Sequence, residues 1–210
     1  MKDTFLSIYE TTITRAGSDK LKEWLIQSRF FDDPASANHH LAVNGGLCIH
    51  SINVYRRLKW LCEMEALQNP GFVMPSAETI AIIGLLHDLC KEGTYTQEPK
   101  NQKTYDPEKV AAAFFKERKK DSIGEFIWET VMKYTSDDKM PFGHGEKSVY
   151  IIQSFMKLTR EEAFAIRYHM GAWQDGEKQN AGKAFEMYEL AMLLHMADEF
   201  ATFVDEKELA

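Results

Sequence analysis

Thr79-Ile80-Ala81-Ile82-Ile83-Gly84-Leu85-Leu86-His87-Asp88 is the stretch that decides how this chain folds. Pro75-Ser76-Ala77-Glu78 opens it, and Leu89-Cys90-Lys91-Glu92-Gly93 follows. The apolar run reads as a buried helix, and it ends in an imidazole beside a carboxylate. Burying a charge without a partner is strongly unfavourable. A divalent metal satisfies both groups at once. The pair alone is a weak signal. It gains weight because further His and Asp residues stand at the ends of other apolar segments.

The rest of the chain is mostly helical by apolar spacing. Phe5, Ile8 and Tyr9 predict a first helix, and Leu21, Trp24 and Leu25 a second, with Ser18 or Asp19 as its cap. Asn44-Gly45-Gly46 marks a turn before a long helix with Leu47, His50, Val54, Leu58 and Leu61 on its inner side, and Asn69-Pro70-Gly71 ends it. Thr94-Tyr95-Thr96 and Ile127-Trp128-Glu129-Thr130-Val131 read as strands. Pro107 to Lys119 reads as a helix, with Pro107 in its first turn and Val110, Phe114 and Phe115 on one face. Glu146 to Leu158 reads as helical, and Thr159-Arg160-Glu161-Glu162 as a capping box for the next helix. Gly176 to Gly182 reads as a polar loop and Ala184 to Phe203 as the last long helix. Trp60, Trp128 and Trp173 read as core or pocket wall.

The chain has 210 residues and 44% hydrophobic residues, enough for one globular domain with a proper core. Its net charge of -7 argues against binding long nucleic acids, which requires Lys and Arg to replace counterions. A small phosphorylated substrate stays open, because bound metals can invert the local field. The cysteines Cys48, Cys62 and Cys90 are odd in number and form no Cys-x-x-Cys pair, which predicts reduced thiols in the cytoplasm. The start, Met1-Lys2-Asp3-Thr4-Phe5, predicts no signal peptide. The longest apolar run is too short to span a bilayer.

Of the seven histidines, His50, His87, His144 and His169 fall at element boundaries. With Asp88 and Asp198 they form an N/O ligand set suited to Mn, Fe, Mg, Co, Ni or Zn. A carboxylate beside a His can bridge two metals. Simpler readings exist for single members. His144 sits between glycines in a turn, His169 suits a helix C-terminus as a cation, and Lys91 is also a surface lysine after a helix end. His195 reads as a residue that orients Asp198 or a ligand, or as core. His39 and His40 read as loop or pocket rim.

The order His50, His87-Asp88, His144, His169, Asp198 resembles the HD superfamily of metal-dependent phosphohydrolases. Gly45-Gly46-Leu47-x-x-His50-Ser51, Leu85-Leu86-His87-Asp88-x-x-Lys91 and His195-x-Ala197-Asp198 carry the resemblance locally. It implies an all-α HD-domain helical bundle, taken here over residues 1–210, with a ligand core at about 40–203; the segment at about 93–140 is not part of the family pattern and reads as an inserted small hairpin and helix. It also implies a minimal metal site of His50, His87, Asp88 and Asp198. His144 and His169 stand where two-metal subfamilies add ligands, so two divalent metals are expected, with Asp88 between them. Water made acidic by coordination would attack phosphorus. Lys91 resembles a lysine that contacts substrate phosphate, and Lys147 and Arg167 are further candidates.

The function expected is hydrolysis of a phosphate ester, either a nucleotide or a cyclic or short oligonucleotide. Two other readings use the same ligands. Some HD relatives hold a di-iron pair that activates oxygen, and a non-catalytic nucleotide-binding module could keep the fold alone. The oligomeric state is open.

Overall fold

Helix α4 (Ala77–Leu86) is the axis of the structure, a computed structural model that describes residues 1–173, 176 and 178–207. Ser76 starts it by accepting the Thr79 N–H at 3.0 Å. Every side chain from Ile80 to Leu86 is buried. Full burial of each large aliphatic residue here contributes about 1.5–3 kcal/mol relative to exposure. That payload holds an imidazole and a carboxylate at the helix end, inside the protein.

The preceding elements are α1 (Lys2–Thr12), α2 (Ser18–Gln27) and the long α3 (Gly46–Gln68). Helix α2 starts from Gly17, with Ser18 already inside the first turn, so neither Ser18 nor Asp19 caps it. A Cβ on Gly84 would lie 2.7 Å from the Tyr55 Cα. Glycine there lets the α3 and α4 backbones touch. The His50 and His87 ring centroids consequently lie 5.3 Å apart.

A three-stranded sheet follows α4, so the fold is mostly helical rather than all-α. Strands β1 (Tyr95–Thr104) and β3 (Glu125–Ser136) pair antiparallel from Tyr95↔Ser136 to Thr104↔Ile127. The two-residue β2 (Lys119–Lys120) pairs with the start of β3. Between β1 and β2, the helix expected over Pro107 to Lys119 is only α5 (Pro107–Ala112). Val110 is buried, but Phe114 and Phe115 are 75% and 89% exposed and meet no core. The Arg118 guanidinium donates to the Ala111 and Ala113 carbonyls, closing the chain after one and a half turns.

The helices beyond the sheet are α6 (His144–Gln153), α7 (Arg160–Arg167), α8 (Lys178–Met187) and α9 (Glu189–Phe200). Helix α6 begins two residues earlier than its spacing suggests and ends before Leu158. The capping box at α7 is present: Thr159 Oγ1 accepts the Glu162 N–H at 3.2 Å, and Glu162 Oε2 accepts the Thr159 N–H at 2.8 Å. The polar segment 176–182 is helical from Lys178, because Ala181 and Ala184 bury a narrow face beside α9. Glu177 in that segment lies outside the described residues. Tyr188 is extended and stacks on Phe164 at 5.5 Å, which divides the expected last helix into α8 and α9. A π-helical turn, Ala201–Asp205, continues α9. Trp60 and Trp128 are exposed rather than core. Among the described residues no helix is long and apolar enough to cross a membrane.

Candidate metal centre

Five helices bring the six expected side chains to one place. His50 stands in the second turn of α3, His87 and Asp88 at the end of α4, and His144 opens α6. His169 follows α7, and Asp198 comes from α9. His50, His87, Asp88 and His169 are at most 1% exposed.

Asp88 divides this cluster in two. Its Oδ2 lies 3.4 Å from His50 Nε2 and 3.6 Å from His87 Nε2. Its Oδ1 lies 2.8 Å from His144 Nε2 and 3.5 Å from His169 Nε2. Asp198 Oδ1 belongs to the first group, 3.1 Å from His50 Nε2 and 4.0 Å from His87 Nε2. Lys91 Nζ sits 2.7 Å from Asp88 Oδ2.

The imidazoles are held with one nitrogen spent. His87 Nδ1–H donates to the Gly84 carbonyl at 3.0 Å, and His169 Nδ1–H to the Ile166 carbonyl at 2.7 Å. His50 Nδ1–H donates to Glu206, whose two oxygens are each 3.1 Å away. Each ring thereby turns Nε2 toward the carboxylates. The Nε2 atoms of His87 and His169 are buried and, among the described residues, have no hydrogen-bond partner. An orphaned buried nitrogen costs about 1–3 kcal/mol. Two of them converging on a buried carboxylate fit a divalent metal. His50, His87 and Asp198 form one group of three that could hold it and His87, Asp88 and His169 another, while His144 groups with Asp88 and Cys90 and His50 also with His40 and Glu206.

The electrostatics agree. Burial pushes the His87 imidazole down to about 3, so it stays neutral with a free lone pair. Burial also lowers His144. At His50 and His169 burial opposes the charge, but the neighbouring carboxylates prevail and raise both. Burial acts against the Asp88 carboxylate too, yet Lys91 and the imidazoles hold it well below the usual range. Asp198 is depressed in the same way, chiefly by His50.

A cavity of about 840 Å³ opens onto this centre, with Lys91 and Asp198 in its wall. Asn38, His40, Trp173 and Phe203 line it further out. His40 is thus at the pocket rim, its ring 5.0 Å from that of His50. Lys147 is buried and donates to Asp138 at 2.7 Å. Arg167 lies 3.8 Å from Glu146 and over the Tyr168 ring. The His195 imidazole serves the His169 backbone rather than Asp198. Its Nδ1–H donates to the His169 carbonyl at 2.7 Å, which fixes the turn that carries His169.

Two neighbours of the centre carry no sequence signal. Glu206 is fully buried, yet it lies in the polar tail Asp205-Glu206-Lys207. Cys90 Sγ lies 3.3 Å from His144 Nδ1, and burial keeps it a thiol. All three cysteines are free and buried.

No curated protein and no solved structure matches this chain. The HD domain family model matches residues 47–202, ending before Glu206. That span contains all six of the converging side chains, and the chain belongs to the HD domain family, a branch of the metal-dependent phosphohydrolases.

Proposed function

We propose that the protein hydrolyses a small phosphate ester, a nucleotide or a cyclic or short oligonucleotide, using two divalent metals. The observation that carries this is the division of Asp88, with Oδ2 facing His50 and His87 and Oδ1 facing His144 and His169. When bound, the metals would polarise the phosphoryl oxygens and make water a competent nucleophile near neutral pH. The ligand set does not select among Mn, Fe, Mg, Co, Ni and Zn.

The chain's own residues supply binding and orientation. The Lys91 ammonium, held by Asp88, borders the cavity and offers its remaining donors to a phosphate oxygen. Burial opposes its charge, but Asp88 keeps it protonated. Trp173 and Phe203 give the outer cavity an aromatic wall. Aromatic faces accept nucleobases by stacking. Lys147 and Arg167 do not line that cavity and engage Asp138, Glu146 and Tyr168 instead. We take residues 1–210 as one domain, with the sheet segment at about 93–140 as an insertion beside the centre. Three free, buried cysteines suit a reducing compartment such as the cytoplasm.

The test is metal analysis of the purified protein, followed by a panel of phosphomonoesters and phosphodiesters with each metal. Hydrolysis dependent on metal and on Asp88 is the expected result. A metal-loaded protein that leaves the whole panel intact overturns the reading. Bound iron with oxygen uptake would instead indicate oxidative chemistry.

A further inference from the structure

Glu206 is a buried carboxylate that the six-ligand arrangement does not use. It takes the His50 Nδ1–H on both oxygens and accepts the Asn53 Nδ2–H at 3.0 Å. The preceding residue, Asp205, accepts the Arg57 Nε–H at 2.6 Å. His50, Asn53 and Arg57 are spaced by three and four along α3, so one helical face holds the tail that leaves the π-helical turn.

The other imidazoles have weaker supports. His87 and His169 lean on backbone carbonyls, and His144 has the Cys90 thiol beside Nδ1. A carboxylate behind an imidazole fixes its orientation and raises its basicity as a ligand, and losing such a partner typically costs 10- to 100-fold in metal affinity. We infer that Glu206 is the positioning residue for His50, and that it makes the subsite of His50, His87 and Asp198 the tighter of two. The second half of this inference rests on the two-metal reading.

The test is titration of Co²⁺ into chelator-stripped protein, read by calorimetry and by the visible absorption of the bound ion. Wild-type protein should fill in two unequal steps. Glu206→Gln keeps an acceptor for the His50 N–H but removes the charge, and should weaken the tight step about 10- to 100-fold, leaving the other step in place. Glu206→Asp should recover part of that loss. Asn53→Ala, which removes a partner of Glu206 but not its contact with His50, should leave both steps within about threefold of wild type if the effect belongs to the His50 contact. Two unchanged steps in Glu206→Gln would overturn the inference. A single wild-type step would overturn the two-metal reading and the claim of inequality. The positioning role would then stand if Glu206→Gln weakens that step and fall if it does not.

Discussion

The Arg15 guanidinium grips both carboxylate oxygens of Glu162, at 2.6 and 2.9 Å, and Glu162 is fully buried. Arg15 also reaches Glu78 at 3.3 Å, so one side chain ties the loop after α1 to the starts of α4 and α7. Burial acts to raise the Glu162 carboxyl, but Arg15, the Thr159 N–H and the Thr79 hydroxyl outweigh it and hold it below the usual range of a glutamate. A depressed carboxyl contributes stability that is present above its unfolded value and lost as pH falls through the folded one. Glu162→Gln should therefore destabilise the protein at neutral pH by about 2–4 kcal/mol, since it leaves Arg15 partly buried without its partner. It should also flatten the loss of stability as pH falls from neutral through and below the usual carboxylate range. Urea denaturation across that range measures both, and an acid limb as steep as that of wild type would refute the assignment.

Gly145 lies where α6 begins against the end of α7. A Cβ there would stand 2.4 Å from the Ile166 and Arg167 carbonyl oxygens. The same contact sets His144 beside His169, with ring centroids 5.3 Å apart. Gly145→Ala should cost about 1–3 kcal/mol by overpacking, and should push His144 away from Asp88. Thermal melting and metal content check this together. A variant that melts like wild type and binds the same metal would show that the two helices can separate freely.

These two relationships show what the sequence made legible. His87-Asp88 stood out because an apolar run leaves polar groups at its end nowhere to go but a partner, and the same logic located His50, His144, His169 and Asp198. Gly84 and Gly145 were visible as residues, but what they approach was not. Glu206 was hidden because a Glu in a polar tail looks solvated until the π-helical turn folds it under His50. Helix α5 stopped short because Phe114 and Phe115 share a face that no other element covers. The break at Tyr188 depends on its stacking with Phe164, a contact between residues 24 apart. Local spacing reports which residues want burial and is silent on whether a surface exists to bury them.

Asp88→Asn should abolish metal binding at both subsites, because each carboxylate oxygen serves a different imidazole pair. Metal bound only by the folded protein stabilises it by about 2.7 kcal/mol at a hundredfold excess over Kd. Wild-type protein should thus lose several degrees of Tm on chelation, whereas the Tm of Asp88→Asn should ignore both metal and chelator. Elemental analysis gives the stoichiometry. A variant that retains one metal would place that ion away from the carboxylate.

Trp173 ends the short turn Gly171–Trp173 that follows His169, and it is 68% exposed on the cavity that holds Lys91 and Asp198. A large indole left in water contributes little to stability, so Trp173→Ala should leave Tm within about two degrees of wild type. Its removal should matter only for substrates that stack. Stacking of a base on an aromatic ring is worth about 1–3 kcal/mol, so kcat/KM for a nucleotide ester should fall roughly 5- to 150-fold. An aliphatic ester such as glycerol phosphate has no ring to lose and should be hydrolysed unchanged, while Trp173→Phe should keep most of the activity on the nucleotide. Equal losses on both esters would mean that Trp173 shapes the turn carrying His169 rather than the substrate, and no loss on either would remove the aromatic wall from the recognition of the base.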